Sequence, residues 1–156
     1  MTQLIGEYIC KLDAKGRLTM PAALKKQIPN DAQEKFVVNR GFENCLNLFP
    51  LTEWNKVTAK IQKLNLYKKE NRDFQRRFHR GATALELDAS SRVNLPKGLL
   101  QYAGITKEVV LFAHGDKIEI WDKTAYDAMF DESEDDFAEL AENVMGQFDK
   151  IDDIND

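Results

Sequence analysis

The sequence predicts a mainly β fold with helices, of the α+β class, in which two related units are joined by a helical segment. Three observations support this prediction. A stretch of about forty residues occurs twice, runs of strand length within each copy alternate apolar and polar residues, and amphipathic helical patterns lie between the copies. The chain has 156 residues, of which 43% are hydrophobic. That length suits one ordinary domain or two very small ones.

The internal repeat is clearest around two Asp-x-x-x-Arg motifs. Residues 12–24 are LDAKGRLTMPAAL and residues 87–99 are LDASSRVNLPKGL, with six identities in the same register. A weaker match continues downstream, where residues 37–49 correspond to residues 111–121. The repeat therefore predicts four segments, which are a first unit at 5–51, linking helices at 52–80, a second unit at 81–123 and an acidic C-terminal helix and tail at 124–156.

Each unit is predicted to contain a strand, a tight turn, a return strand, a short helix and a hairpin. In the first unit, alternation predicts strands at 7–12 and 17–20. Asp13 and Gly16 suit the turn between them, because an Asp side chain accepts hydrogen bonds from downstream amides and Gly tolerates positive φ. Pro21 suits the start of a helix, because its missing N–H costs nothing there. The rest of the unit is predicted as a helix at 22–28 and a hairpin of strands 36–39 and 45–49.

The second unit and the helices follow by the same reasoning. The second unit is predicted to have strands at 84–87, 109–113 and 118–121 and a helix at 96–102. Thr52 is predicted to N-cap a linking helix at 53–64, and further helices are expected at 70–80 and 124–148. One such unit has too little apolar surface to be stable alone, so the two units are expected to exchange strands.

Charge is distributed unevenly along the chain. The net charge of −4 divides into +8 for residues 1–80 and −12 for residues 81–156. A basic half can contact phosphate, although a solvated acidic tail would also account for much of the other half. Four arginines lie on the second linking helix, and they could contact DNA or the acidic surface of a neighbouring subunit. The second interpretation is favoured because the second half carries the charge to meet them: Arg72, Arg76, Arg77 and Arg80.

Motifs typical of catalytic and metal sites are missing from the sequence. No Gly-rich phosphate loop, nucleophile elbow or zinc spacing occurs. Asp13 and Asp88 form a repeated carboxylate pair, but neither lies in the Asp-Thr/Ser-Gly loop of an aspartic protease. Cys10 and Cys45 are expected to be small core residues. We therefore expect no enzyme, no cofactor, no metal and no small-molecule substrate.

The compartment is predicted from equally simple features. No apolar run approaches the roughly 18–20 residues that span a bilayer, and the N-terminus has no basic and apolar signal pattern. Two cysteines do not form a disulfide framework. These features favour a reducing cytoplasm and no membrane association.

Lys15 and Arg17 are the candidate functional residues of the first turn. A hairpin can enter a major groove or follow phosphates, and Arg can bond guanine O6 and N7 together. From the residues alone, it is equally simple for Arg17 to pair with Asp13 and brace the turn.

The ordered set of motifs resembles the MraZ family, over nearly the whole chain to about residue 130. The residues that carry the resemblance are Gly6-Glu7, Leu12–Leu18, Pro21, Arg40-Gly41, Leu48–Trp54, Arg77-Phe78, Gly81-Ala82, Leu87-Asp88, Arg92, Pro96, Tyr102–Ile105 and Ile118–Trp121. The resemblance implies a bacterial transcription factor with two AbrB/SpoVT-like swapped-hairpin barrel units in a pseudo-twofold arrangement. It also implies a ring-shaped homo-oligomer, associated with the nucleoid, that represses the division and cell-wall gene cluster by binding tandem G-rich boxes in double-stranded promoter DNA.

The resemblance also implies roles for residues of both turns. DNA contact is expected from Lys15, Arg17 and Arg92. Support of the turns by Asp13, Gly16 and Asp88 is expected from the residue types alone. The second turn departs from the family pattern, because Ser90 and Ser91 replace a basic or amide residue and a glycine. That departure leaves the part of the second unit in DNA binding open. Two other classes stay as alternatives: an AbrB-type antitoxin, and an oligomeric scaffold that does not bind DNA.

Overall fold

The computed structural model describes residues 3–130 and 134–155. These residues form eight strands, six α-helices and a short 3-10 helix at Asn30–Ala32. The strands are β1 (Leu4–Lys11), β2 (Arg17–Thr19), β3 (Lys35–Arg40), β4 (Leu46–Pro50), β5 (Thr83–Glu86), β6 (Arg92–Asn94), β7 (Glu108–Gly115) and β8 (Lys117–Asp122). The helices are α1 (Ala22–Lys25), α2 (Leu51–Ile61), α3 (Lys69–His79), α4 (Lys97–Tyr102), α5 (Lys123–Ala128) and α6 (Glu134–Asn155). One compact unit ends at Lys123 and a second begins at Thr124.

The strands of the two repeats are exchanged. A six-stranded antiparallel sheet has the order β1-β7-β8-β4-β3-β5, and β2 pairs with β6 in a separate two-stranded sheet. Thus β1 of the first repeat pairs with β7 of the second, and β5 of the second repeat pairs with β3 of the first. The predicted α+β fold of two related units with exchanged strands is confirmed.

The hydrophobic core joins the two sheets. Leu18 and Val93 lie opposite each other in the β2–β6 pair and are almost completely buried. They belong to the same core cluster as Phe36, Val38 and Leu111 of the large sheet. Burial of each such side chain contributes about 1.5–3 kcal/mol. Because strand side chains alternate between faces, the neighbours of Leu18 and Val93 face away from this core.

The linking helices are fixed to the sheet by aromatic contacts and one amide. The Trp54 and Phe78 rings are stacked with centroids 5.3 Å apart, and the Nδ2 of buried Asn39 donates to the carbonyl of Phe78 at 3.1 Å. The predicted N-cap at Thr52 is wrong. The helix begins at Leu51, two residues before the predicted start at residue 53, with Pro50 in the cap position and no side-chain cap. Pro fixes the φ of that position and cannot supply a capping hydroxyl.

Helix α1 is shorter than predicted, and the chain beyond it supports the sheet. The helix ends at Lys25, and the predicted extension to Ile28 consists of turns, since the residue before Pro29 disfavours helical backbone. From this segment, the Gln27 amide accepts from the backbone N–H of Ile5 at 2.9 Å and donates to the carbonyl of Ile5 at 3.0 Å. The side chain therefore occupies the β1 edge as a neighbouring strand would.

The C-terminal unit contains two helices where the sequence predicted one at 124–148. Helix α5 ends at Ala128, and the amides of Met129 and Phe130 bond three residues back in tighter turns. Bonds to the third residue back belong to 3-10 turns, so the α-helical pattern of α5 does not continue through these two residues. Residues 131–133 lie outside the described residues.

Candidate nucleic-acid interface

The first turn is held by the carboxylate of Asp13. Its Oδ1 accepts from the backbone N–H groups of Lys15 and Arg17, each at 2.9 Å. Its Oδ2 accepts from Nε of Arg17 at 2.6 Å. Two backbone bonds close the turn, from Gly16 N–H to the Asp13 carbonyl and from Asp13 N–H to the Arg17 carbonyl, both at 3.0 Å. Gly16 has φ of +77°, the left-handed conformation that the turn requires.

The second turn repeats this geometry with different residues inside it. Oδ1 of Asp88 accepts from the N–H groups of Ser90 at 2.8 Å and Arg92 at 2.9 Å, and Oδ2 accepts from Nε of Arg92 at 3.0 Å. Ser91 occupies the position of Gly16 and has φ of +61°. The serine therefore keeps the left-handed turn, and its hydroxyl accepts from Nζ of Lys25 at 2.8 Å.

The hydrogen bonds to each carboxylate favour its ionised form. The pKa of Asp13 lies below its usual value, chiefly because the backbone N–H of Arg17 donates to the carboxylate. The pKa of Asp88 is lowered in the same way by the backbone N–H of Arg92. Nη1 of Arg92 also lies 4.0 Å from Oδ2 of Asp13. The two turns thus share one alternating cluster of acidic and basic groups.

Each arginine is oriented by its aspartate through Nε–H, which is one of the five N–H donors of the guanidinium group. Bracing of the turn by Arg17 is therefore observed, but only Nε takes part. Among the described residues, no acceptor is bonded to the terminal nitrogens of Arg17. Both arginine side chains are about one-third exposed, 30% for Arg17 and 31% for Arg92. An arginine held in this way keeps donors for a second acceptor in a fixed direction.

Strands β2 and β6 place these arginines on one surface, which we name the ribbon face. In the antiparallel pair, Arg17 lies opposite Asn94 and Thr19 lies opposite Arg92. The intervening Leu18 and Val93 point into the core, so these four side chains share the outward side. The ribbon face consists of Arg17, Thr19, Arg92 and Asn94.

Two members of the ribbon face were missed in the sequence. Thr19 and Asn94 each lie two residues after a predicted arginine, which is the period of a strand face. This two-residue spacing could have placed Thr19 on the face of Arg17 and Asn94 on the face of Arg92. Both residues are exposed.

Lys15 lies at the tip of the first turn, beside a groove of about 730 Å³. The groove separates the turn from the start of α4, where Lys97 provides a second cation. Lys15 is exposed. The equivalent position of the second turn is Ser90, so the second turn carries no lysine.

Metal ligands and reactive thiols are the other groups of the described chain that could carry out chemistry. Burial is the main cause that raises the pKa of Cys45 to about 12, so this thiol stays protonated. Among residues 3–130 and 134–155, no group of three or more His, Cys, Asp or Glu side chains is placed to hold a metal ion. None of the helices described is both long and apolar enough to span a bilayer.

Comparison with known proteins matches both halves of the chain. The sequence model of one protein family, described as "MraZ protein, putative antitoxin-like", matches residues 4–77 and again residues 78–148. The double match confirms the internal repeat.

Three curated relatives carry the same name, "Transcriptional regulator MraZ". The protein from Christiangramia forsetii is 49% identical over 150 residues, which cover 96% of this chain and 97% of the relative. The protein from Flavobacterium psychrophilum is 48% identical over 147 residues, covering 94% of each chain. The protein from Cytophaga hutchinsonii is 38% identical over 140 residues, covering 90% of this chain and 93% of the relative.

Proposed function

We propose that this chain, which belongs to the MraZ family of transcriptional regulators, binds double-stranded DNA by inserting its ribbon face into the major groove. The observation that carries the proposal is the β2–β6 pair itself. A two-stranded β-ribbon fits a major groove about 12 Å wide. The inner side of this ribbon is fixed to the core by Leu18 and Val93, so the outer side is a rigid reading surface.

The side chains of the ribbon face suit contacts with base edges. Arg17 and Arg92 have terminal donors for O6 and N7 of guanine, and each is oriented by its aspartate. Asn94 can bond N6 and N7 of adenine, and the Thr19 methyl can contact thymine. Arginine at two of the four positions is the composition expected for G-rich sites.

The residues of the turns have separate tasks in this proposal. Lys15 contacts a backbone phosphate, which adds affinity without sequence preference. Asp13, Gly16 and Asp88 hold the turns and direct the arginines. The two repeats at 5–51 and 81–123 each supply one turn and one strand of the ribbon.

We further propose the regulatory setting that the family resemblance implies. The protein acts in the cytoplasm, on the nucleoid, as a repressor of the division and cell-wall gene cluster. It binds tandem G-rich boxes as a ring-shaped homo-oligomer. Linked copies raise the effective concentration at neighbouring boxes, so repeated boxes gain affinity without new contacts.

A salt titration tests this function. Binding to DNA with three or four tandem G-rich boxes is compared with binding to scrambled DNA of equal length, by fluorescence anisotropy. The wild type should prefer the boxes by about 100-fold, which corresponds to one or two specific contacts of 1–3 kcal/mol. Arg17→Ala should remove that preference while thermal unfolding stays cooperative. Arg76→Ala is the matched control, because Arg76 pairs with Asp73 on α3.

The proposal fails if the folded Arg17→Ala variant still prefers the boxes. Equal, weak and strongly salt-dependent binding of both DNAs by the wild type would leave only an electrostatic surface. In that case the scaffold interpretation would replace the repressor.

An antitoxin is the second candidate, because the matching family model is described as antitoxin-like. This function would require a toxin bound in stoichiometric amount. Purification of the tagged protein from its native cells, followed by mass spectrometry, distinguishes the two. A single equimolar partner would favour the antitoxin.

A further inference from the structure

A cleft on the first compact unit combines three arginines with aromatic side chains. It has a volume of about 440 Å³ and lies between the β3–β4 turn, the end of α3 and α4. We name it the arginine cleft, and its lining includes Arg40, Phe42, Phe74, Arg77, Arg80 and Tyr102. It is separate from the ribbon face, with which it shares no residue.

The arginines of this cleft have no anionic partner among the described residues. Arg17, Arg76 and Arg92 each lie within 4.0 Å of a carboxylate, whereas Arg40, Arg77 and Arg80 do not. The Nε atom of Arg40 is buried and unbonded, and its guanidinium carbon lies 4.6 Å above the Tyr102 ring. A buried donor without an acceptor is costly. The three arginines therefore present donors that no carboxylate of the described residues pairs with.

Aromatic walls make the cleft suited to a protein partner. Phe42 is 82% exposed and Phe74 is 38% exposed. The Tyr102 hydroxyl donates to the carbonyl of Gly41 at 3.0 Å, which holds the ring under Arg40. Arginine and aromatic side chains on a rigid surface are the composition of binding hot spots.

Helix α6 of the C-terminal unit has the complementary chemistry. Its sequence has eight carboxylates and one lysine. Apolar side chains follow one another at helical spacing and are all roughly half exposed: Phe137 65%, Leu140 52%, Val144 46% and Phe148 57%. Soluble proteins seldom leave such a stripe uncovered, and an amphipathic helix with this spacing is the form that docks in a groove.

We infer that the arginine cleft binds helix α6 of a second copy of this chain. The apolar stripe packs against Phe42 and Phe74, and the helix carboxylates pair with the arginines. A contact between two different surfaces is head-to-tail, so a pair of copies keeps one free cleft on one copy and one free helix on the other. Repetition then closes a ring or extends a filament. The inference deepens the oligomeric part of the proposed function and names the surfaces that assemble.

Complementation between two defective variants tests the inference. The cleft variant is Arg77→Glu with Arg80→Glu, and the helix variant is Phe137→Ser with Leu140→Ser. Mass is measured by sedimentation velocity on full-length protein without DNA. Each variant alone should be monomeric under conditions where the wild type is assembled. Their equimolar mixture should form a dimer, because one intact helix then meets one intact cleft.

Controls separate this result from misfolding and from the DNA proposal. Arg76 was grouped with the cleft arginines in the sequence, but it lies outside the cleft and pairs with Asp73 on the same helix, so Arg76→Glu should leave assembly unchanged. Recovery of the dimer in the mixture shows that both variants are folded. Both variants should bind one G-rich box as tightly as the wild type, because the ribbon face is untouched.

Three outcomes would overturn the inference. These are a monomeric wild type, variants that assemble as the wild type does, and a mixture that stays monomeric. If neither variant changes the sedimenting mass, the cleft does not hold the assembly together and the inference is rejected. Loss of DNA binding with intact complementation would reject only the proposed function.

Discussion

The turns Asp13–Arg17 and Asp88–Arg92 have the same hydrogen bonds but different interiors. Each aspartate accepts from two backbone amides and from Nε of its arginine. The positions between them are Ala-Lys-Gly in the first turn and Ala-Ser-Ser in the second. The difference teaches that the Asp and Arg pair fixes the turn, while the charge at its tip, Lys15 or Ser90, is free to vary.

The two turns also contact different residues of the opposite repeat. A Cβ at Gly16 would lie 3.5 Å from Cδ1 of Leu100 on α4, whereas Ser91 bonds Lys25 on α1. Leu100 and Lys25 are equivalent positions of the repeat. Strand exchange therefore places each turn on the helix of the other repeat, and each turn residue is matched to a partner 66 or more positions away.

Exchange of the turn charges should give the largest effect. Lys15→Ala should make the slope of log K against log salt less negative by about 0.9 for each bound chain, because one phosphate contact is lost. Ser90→Lys should make it more negative by a similar amount if the second turn also lies against DNA. Each change alters the loss of affinity between 50 and 200 mM salt by about threefold. Anisotropy titrations on specific and scrambled DNA measure both slopes.

Lys15→Ala and Ser90→Lys together test whether the two turns contact DNA in the same way. An unchanged slope for Ser90→Lys beside an altered slope for Lys15→Ala would show that only the first turn meets phosphate. Slope changes of equal size and opposite sign would show that the two turns approach DNA symmetrically.

Exchange of the left-handed residues should change the stability of the fold and leave the salt dependence of DNA binding as it is. Gly16→Ala should lower the free energy of unfolding by about 1 kcal/mol, because the left-handed backbone disfavours a Cβ while the space itself is adequate. Ser91→Gly should raise the free energy of unfolding, because glycine relieves the strain of the left-handed backbone. The gain should be smaller than the loss of about 1 kcal/mol expected for Gly16→Ala, because the hydrogen bond from Lys25 is lost. Urea denaturation measures both. Gly98→Ala, at a helical position of α4 with open space around it, is the control and should be neutral or stabilising. A destabilised Ser91→Gly variant would show that the bond outweighs the backbone strain.

The smallest effect is expected in the acid range. Hydrogen bonds lower the pKa of Asp13 and Asp88 in the folded state. Their contribution is therefore present above the unfolded pKa of about 3.9 and is lost as pH falls through the lower folded pKa. Asp13→Asn with Asp88→Asn should flatten the loss of stability between about pH 4 and pH 2. Denaturant midpoints across this range measure it, and curves parallel to the wild type would contradict the prediction.

Much of the fold was predictable because the repeat carries its own register. The match of residues 12–24 to 87–99 identified both turns and both arginines, and the small apolar surface of one unit predicted the exchange of strands. The pairing of individual strands could not be predicted in this way. Thr19 and Asn94 join the ribbon face only because β2 pairs with β6, and alternation within one strand does not name its neighbour.

Other errors came from local rules that the surroundings override. Thr52 has the side chain of an N-cap, but Pro50 occupies the cap and Oγ1 of Thr52 is buried without a partner. The arginines of α3 were recognised as a basic group, yet Arg40 comes from a distant strand and joins them only in the folded chain. Sequence periodicity describes one element at a time and cannot show which elements meet.

The exchange of strands determines when the chain can fold during its synthesis. The partner of Tyr8 in the β1–β7 ladder is Leu111, and β8, which lies between β7 and β4 in the sheet, ends at Asp122. When the first repeat leaves the ribosome, β1, β2 and the free edge of β3 have no partners, so their apolar faces and strand edges are open. The sheet closes only after the second repeat has been translated, and unpaired strand edges of this kind are the surfaces through which incomplete chains aggregate.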